Sequence, residues 1–225
     1  MTPYPVFLSV PRPEKLERGA LLWRIVFFVI FSIVGLTMGV VFAVLYLALP
    51  VIAAMGLSRR KTEGFLAEDS PRLARALRWV TRAYAYLMLL SDKLPSEDEA
   101  IRFDIEPGAW PDPRNPPTAA GAVIRVLFGL PSALVLVFLV IASWFVWLVA
   151  AVMILFTESY PEVLFGFQCG VLRWEMRLLA YQASLVEAYP PYSFDSGSVP
   201  MIHAEPLAHC RRDATARSGQ RRSSS

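Results

Sequence analysis

The chain has 225 residues, of which 55% are apolar, and its mean hydropathy is +0.44. Its formal net charge is only +3, from 22 Lys and Arg against 19 Asp and Glu. The apolar share is too high for an ordinary soluble domain, which excludes a soluble enzyme as the default. A net charge so near zero, with no base-stacking module, also excludes a nucleic-acid-binding surface.

Two long runs without a charged residue account for the apolar excess, since residues 25–58 and 126–157 contain 34 and 32 residues respectively. A membrane-spanning helix needs about 20 apolar residues, so each run is long enough to span. The first run would form a helix of about 51 Å, which exceeds the roughly 30 Å hydrocarbon core. A tilted or kinked helix, a tight hairpin that barely crosses, or a span continued by a helix buried against its neighbours would each accommodate such a run. Pro50 and Pro131 are the natural kink sites, and an interfacial piece at residues 123–130 before the second span favours a kinked helix.

An internal repeat follows each of these runs. Residues 77–95 and 172–190 align at a constant offset of 95, with eight identities in nineteen positions. Each copy lies downstream of an uncharged run that itself follows an arginine, Arg24 or Arg125. The alignment predicts a tandem duplication of a two-helix unit. The identical pairs are Leu77/Leu172, Arg78/Arg173, Trp79/Trp174, Arg82/Arg177, Ala85/Ala180, Tyr86/Tyr181, Leu90/Leu185 and Pro95/Pro190.

The second helix of each predicted unit has two arginines and a tyrosine at intervals of four residues, which places them on one ridge. Guanidinium groups bind phosphates and carboxylates in a bidentate manner, and the neighbouring aromatic residues suit a membrane interface. Alternatively, these arginines snorkel or pair within the protein, for example with Glu175, Asp92 or Glu187. The candidate lipid-binding or partner-binding residues are Arg78, Trp79, Arg82, Tyr86, Arg173, Trp174, Arg177 and Tyr181.

Local signals define the helix boundaries and one packing motif. Asp69 and Ser70 before Pro71 predict an N-cap, and therefore a helix over residues 71–91. In the first uncharged run, small residues recur at every fourth position, a spacing that lets another helix approach closely. The candidate helix-packing residues are Gly35, Gly39 and Ala43.

The remaining segments complete the predicted organisation. Residues 4–10 and 101–105 alternate between apolar and polar residues, so they predict two short strands that pair at one membrane face. We expect a first helical-hairpin repeat at 1–95, an acidic and then proline-rich linker at 96–121, a second repeat at 122–194 and a disordered polar tail at 195–225. The predicted fold is an all-α integral membrane protein with four long helices, two to four of them spanning, and short β segments at the membrane surface.

The repeated pattern of a long apolar helix, LRW, a second arginine, AY and a final YPP resembles the bacterial and archaeal domain-of-unknown-function family numbered 4389. The second unit matches best and includes FTESYPEVLFGF at residues 156–167. The N-terminal YPVFLSVPRPEKLERG is similar to the start of that family's sequences, whereas the first unit departs in its inter-helix loop, SRRKTEGFLAEDSP. The resemblance implies no activity, because the family is itself uncharacterised.

No catalytic constellation is evident in the sequence. The two histidines, His203 and His209, lie in the tail, and His209 is next to Cys210. The sequence offers no fourth ligand at a suitable spacing for a metal. The long runs also lack the ionisable residues that transporters place inside their spans. We expect no enzyme activity, cofactor or metal, and we expect an accessory or scaffolding subunit that contacts anionic lipid headgroups and other membrane subunits. The alternative is a small transporter or lipid-handling protein that uses the paired arginine ridges as an anion or headgroup site.

The distribution of charge predicts the location. The ends and the linker hold most of the Lys and Arg, whereas the loops inside the units hold only Arg59, Arg60 and Lys61. The positive-inside rule then places both termini and the linker in the cytoplasm of a bacterium, with the protein in the inner membrane as a multi-pass chain.

Overall fold

A computed structural model of the chain describes residues 4–13, 38–96, 101–105 and 116–194, together with the single positions Gly19, Trp23 and Val26. The predicted packing residue Gly35, most of the linker and the tail at 195–225 lie outside the described residues. The described part is mostly helical with one small sheet. Its elements, in chain order, are β1 (Val6–Ser9), α1 (Met38–Gly64), a π-helical turn (Phe65–Asp69), α2 (Ser70–Leu87), β2 (Arg102–Ile105), α3 (Ala119–Thr157) and α4 (Glu162–Gln182).

Two helical stretches are long and apolar enough to cross a membrane, namely Gly39–Leu87, which includes α1 and α2, and Ala119–Thr157, which is α3. Both contain a predicted uncharged run or most of one. The membrane character that the composition predicted is therefore supported at the level of length and hydropathy.

The two predicted strands form and pair with each other. β1 and β2 make an antiparallel two-stranded ribbon in which Leu8 lies opposite Phe103. Both side chains are buried, and so are Val6 and Ile101 on the same face. The ribbon thus has one apolar face packed against the helices, as the alternating pattern predicted.

The chain reverses direction at Lys61, where the backbone adopts a left-handed conformation with φ of 56°. As a result, Gly56 before the reversal lies against the side chains of Phe65 and Asp69 after it. In a straight helix, residues 56 and 69 would be about 20 Å apart, so α1 and α2 must form a hairpin. The helix continues through Pro50, its break lies at Lys61, and the segment predicted as a loop is largely helical.

The predicted N-cap at the start of α2 was also wrong. Asp69 has helical dihedral angles and makes no side-chain capping bond, because the π-helical turn continues directly into α2. Its carboxylate instead lies 3.7 Å from Arg60 and 3.8 Å from Arg72. In the second half, α3 continues through Pro131 as one helix, and the chain turns at Glu158, with φ of 57°, before α4.

The helices α1 and α3 pack antiparallel. Ala53 and Leu57 in the second half of α1 share an apolar cluster with Ala122 near the start of α3. About one turn further along α3, the hydroxyl of Tyr46, which comes earlier in α1, donates to the carbonyl of Val126 at 2.6 Å. Helix α4 folds back along α3 and is buried on nearly all sides, so it forms the centre of the core.

The close approach around Gly129 predicts a measurable effect of adding one methyl group. A Cβ there would overlap the Gln182 side-chain amide and would lie 2.8 Å from the Tyr46 hydroxyl. We expect Gly129→Ala to lower the free energy of unfolding by about 1–3 kcal/mol. Gly166→Ala is the matched control, because a Cβ there has nothing within 4 Å. Since alanine favours a helix, it should stabilise by about 0.5–1 kcal/mol in the same denaturation assay in detergent. Equal effects of the two variants would contradict this packing.

Candidate functional site

Two of the predicted arginines, Arg78 and Arg173, bind the ribbon from opposite sides. The Nε of Arg78 donates to the carbonyl of Phe103, and the Nε of Arg173 donates to the carbonyl of Leu8, both at 3.1 Å. Leu8 and Phe103 are themselves the paired residues of the ribbon. The donors are 95 residues apart, and so are the acceptors, so each arginine binds the strand from the other half of the chain.

Each of these arginines has a second contact besides its ribbon carbonyl, and the second contact of Arg78 is weaker than that of Arg173. Arg173 also donates from NH1 to the carbonyl of Phe194 at 3.1 Å. Arg78 has Asp104 at 3.7 Å, but both of these side chains are about half exposed, so the ion pair contributes little. The two arginines are therefore held by backbone carbonyls rather than by the carboxylates considered from the sequence.

The other two arginines lie deeper in the protein. Arg177 is 2% exposed, donates to the carbonyl of Ser193 at 3.1 Å and lies over the ring of Tyr4 at 5.4 Å. Arg82 is half-buried, and its Nε has no hydrogen-bond partner within the described part of the chain.

The aromatic members of the predicted set divide between surface and core. Trp79 is 60% exposed on α2, whereas Trp174 is buried and makes edge contacts with Tyr192 and Phe194. Tyr86 is half-buried, and Tyr181 is buried. The two tryptophans that align at the offset of 95 thus have different surroundings, because Tyr192 and Phe194 pack against Trp174 and leave it only 6% exposed.

A polar cluster near the start of α3 was not singled out from the sequence. Arg125 donates from NH1 to the carbonyls of Tyr181 and Val186, at 2.8 and 2.6 Å, and its guanidinium lies 4.5 Å from the Tyr181 ring. The side-chain amide of Gln182 donates in turn to the carbonyl of Arg125 at 3.1 Å. This cluster joins the start of α3 to the end of α4. Its only sequence signal was an arginine directly before an uncharged run.

The ends of α2 and α4 have the same backbone geometry. Two residues after the last residue of each helix, the backbone has a positive φ, at Leu89 (62°) and at Ser184 (53°). These two residues are 95 apart. Three backbone hydrogen bonds around each end also correspond at that offset. The donor and acceptor pairs are Met88–Tyr84, Leu89–Tyr86 and Leu90–Ala85 for α2, and Ala183–Leu179, Ser184–Tyr181 and Leu185–Ala180 for α4.

Glu175 is the most unusual ionisable group in this region. It is 1% exposed, and neither carboxylate oxygen has a hydrogen-bond partner among the described residues. Burial raises the pKa of Glu175 to about 8, so the carboxyl group is mostly protonated at neutral pH. It therefore does not act as the counter-ion of Arg173 or Arg177 that the sequence allowed.

Two cavities lie away from the four arginines that were predicted as candidate site residues. An apolar cavity of about 490 Å³ between α1 and α3 is lined by the predicted packing residues Gly39 and Ala43, and also by Tyr46 and Leu136. A smaller one, of about 150 Å³, lies at the start of α3 and is lined by residues that include Arg125 and Ser184. Across the residues that the structure describes, no three His, Cys, Asp or Glu side chains cluster in a way that would hold a metal ion.

Comparison with known families gives one match. Residues 120–193 match the family described as Domain of unknown function (DUF4389). The matched segment begins at the start of α3 and ends in the covering segment that receives Arg177, so it contains the α3–α4 hairpin and its cover. The match supports the resemblance seen in the second unit, but it does not include the N-terminal segment or the first unit. No curated protein and no solved structure is significantly similar to the chain.

Proposed function

We propose that the protein is a non-catalytic membrane protein that serves as an accessory or scaffolding subunit of a larger membrane assembly. The observation that carries this proposal is the bonding of Arg78, Arg173 and Arg177 to backbone carbonyls of their own chain. Donors held in this way stabilise a framework, which favours a structural role for these arginines over the binding of a transported anion. The large exposed apolar faces of α1 and α3 are available to lipid, and the exposed face of α2 is available to other membrane subunits.

A tandem duplication of the DUF4389 unit is part of this proposal. It is supported by the offset of 95 that relates the ribbon contacts, the left-handed residues Leu89 and Ser184, and the hydrogen bonds that end α2 and α4.

The proposed location is the bacterial inner membrane, with contacts to anionic lipid headgroups. Its support is the excess of Lys and Arg at the ends and in the linker, together with two helical stretches long enough to span. Arg72 and Arg75 on α2 are exposed, so both side chains are accessible to headgroups.

Gentle purification from native membranes tests the subunit role directly. We expect the full-length protein to co-elute with at least one other membrane protein in fixed stoichiometry. Recovery as a lone monomer from the mildest detergent, with no stoichiometric partner, would contradict the proposal.

A single substitution can locate the partner surface. Trp79 is the most exposed aromatic residue of α2, and exposed tryptophans are enriched at the energetic centres of interfaces. We expect Trp79→Ala to reduce recovery of the co-eluting protein at least tenfold without altering the melting temperature of the isolated chain. Phe145→Ala, on the exposed apolar face of α3, is the matched control and should retain the partner. Equal recovery with both variants would exclude the α2 surface.

A lipid-handling function is the second candidate, favoured by the apolar cavity between α1 and α3. A cavity of this kind could take up an acyl chain, whereas the arginines would be structural. Binding of a fluorescent fatty acid to the purified protein, abolished by Ala43→Phe, would favour this function over the scaffold.

A further inference from the structure

The exposed faces of α1 and α3 form one continuous apolar surface. On α3, residues spaced by seven, or about two helical turns, are all more than half exposed: Leu127, Leu134, Ile141 and Leu148. On α1 the corresponding face is formed by Val40, Val44, Leu47, Val51 and Met55. We infer that this surface lies in the plane of the membrane, within a single leaflet of the bilayer, and that α1 and α3 do not cross it. This inference rests on the membrane location proposed above.

The linker between the two halves is the first argument. The chain that leads into the linker leaves α2 beside the second half of α3, because the Trp147 indole donates to the carbonyl of Leu87 at 3.1 Å. The end of the linker lies at the start of α3, where the Thr62 hydroxyl donates to the carbonyl of Pro117 at 3.2 Å. Residues 118 and 147 are about 44 Å apart along a straight helix, which exceeds the roughly 30 Å hydrocarbon core. If α3 were upright, the charged linker would have to cross the bilayer.

The ribbon gives the second argument, because β1 runs alongside α4. The Tyr4 hydroxyl contacts the carbonyl of Ala188 beyond the end of α4, Leu8 meets Arg173 in its middle, and Arg12 donates to Tyr160 before its start. An upright α4 would therefore hold the ribbon at the depth of the hydrocarbon. Arg102 and Asp104 on the ribbon are exposed, and charged side chains that face lipid are costly.

When α1 and α3 lie parallel to the membrane plane, the order of the layers keeps the linker from crossing the bilayer and the charged ribbon from lying in the hydrocarbon. The ribbon packs on α2 and α4, α4 packs on α1 and α3, and the apolar surface of α1 and α3 faces away from them. A helix is about 10–12 Å wide, so it fits within one leaflet, which is about half of the 30 Å core. The described ends of the linker, the ribbon, α2 and the reversal at Lys61 then all lie on the aqueous side of one membrane face, as in interfacial helices.

Spin-label depth measurements test this orientation on the full chain. Single cysteines replace Leu127, Leu134, Ile141 or Leu148 in a Cys169→Ala, Cys210→Ala background, and the labelled proteins are reconstituted in phosphatidylethanolamine and phosphatidylglycerol vesicles. We expect four similar depths, about 5–10 Å below the headgroup boundary. An upright helix would instead spread residues 127 and 148 over about 31 Å and place one label near the midplane. Such a slope would overturn the inference but leave the proposed function intact.

Two controls separate the remaining outcomes. A label at Arg72→Cys, on exposed α2, should respond only to a water-soluble relaxation agent. If all four α3 labels behaved as this one does, the surface would not contact lipid, and both the inference and the membrane location would fail. Cysteines at Ser58, Ser96 and Thr157 should react with a membrane-impermeant maleimide in inside-out membrane vesicles but not in whole cells. Reaction of Ser58→Cys from the outside would restore the spanning arrangement.

Discussion

At pH 9 the Glu175→Gln variant is expected to be more stable than the wild type by a few kcal/mol, whereas at pH 4 the two should be nearly equal. Both Glu175 oxygens are buried without a partner among the described residues, and burial raises the pKa of this carboxyl from 4.5 to about 8. Between these two values the unfolded chain loses its proton while the folded protein keeps it. The wild type therefore loses stability as pH rises from about 4.5 to about 8, by at most about 5 kcal/mol.

Denaturant titration in mild detergent, followed by tryptophan fluorescence from pH 4 to pH 9, measures this difference. Glutamine has the shape of the protonated carboxyl group but cannot ionise, so its profile should be flat in the same window. Glu162→Gln is the matched control, because that side chain is 87% exposed and its removal should leave the wild-type slope unchanged. A wild-type stability that is constant or rises from pH 5 to pH 8 would contradict the burial of Glu175.

The second large effect is expected at Arg173, where Arg173→Leu should lower the free energy of unfolding by about 3 kcal/mol. This arginine donates to the carbonyls of Leu8 and Phe194, and a hydrogen bond from a charged group contributes about 1.5–3 kcal/mol. Arg78→Leu should cost about half as much, because Arg78 makes one such bond, to Phe103, and its ion pair is half exposed.

Denaturation in detergent gives these energies, and hydrogen exchange locates them. In Arg173→Leu, amide protection should fall in β1 and β2 while it is retained in α3. Arg173→Lys should be intermediate, since lysine can reach one carbonyl but cannot bridge two. Arg72→Leu is the control, because its side chain is 63% exposed and its loss should cost no more than about 0.5 kcal/mol. A loss for Arg173→Leu as small as that for Arg72→Leu would show that the ribbon is held by its apolar face alone.

Local patterns predicted the individual elements well. Alternation of apolar and polar residues gave both strands, and the 34 and 32 uncharged residues gave the two longest apolar helices. The reversal at Lys61 could not be predicted, because a lysine in the left-handed region has no local signal and is held there by contacts such as Gly56 against Phe65. Proline was the stronger local signal for a kink, but α3 continues through Pro131.

The candidate site was only partly predictable, for a similar reason. The alignment at an offset of 95 singled out Arg78 and Arg173, but their acceptors lie 25 and 165 residues away on the ribbon. Spacing along one helix carries no information about such distant backbone groups. The same limit applies to Trp79 and Trp174, which are identical in sequence context but differ in exposure because residues 192–194 cover only the second.

The pairing of Leu8 with Phe103 has a consequence for how such a protein can arise and assemble. Under the proposed duplication these two residues are the same position of the unit, so the ribbon is a strand facing its own equivalent across a local twofold axis. Two separate single-unit chains could make the same isologous contact only by colliding in the membrane. Joining them by a linker makes the encounter intramolecular, with an effective concentration in the millimolar range. Fusion thus converts a dimer that depends on expression level into one whose stoichiometry is set by the gene.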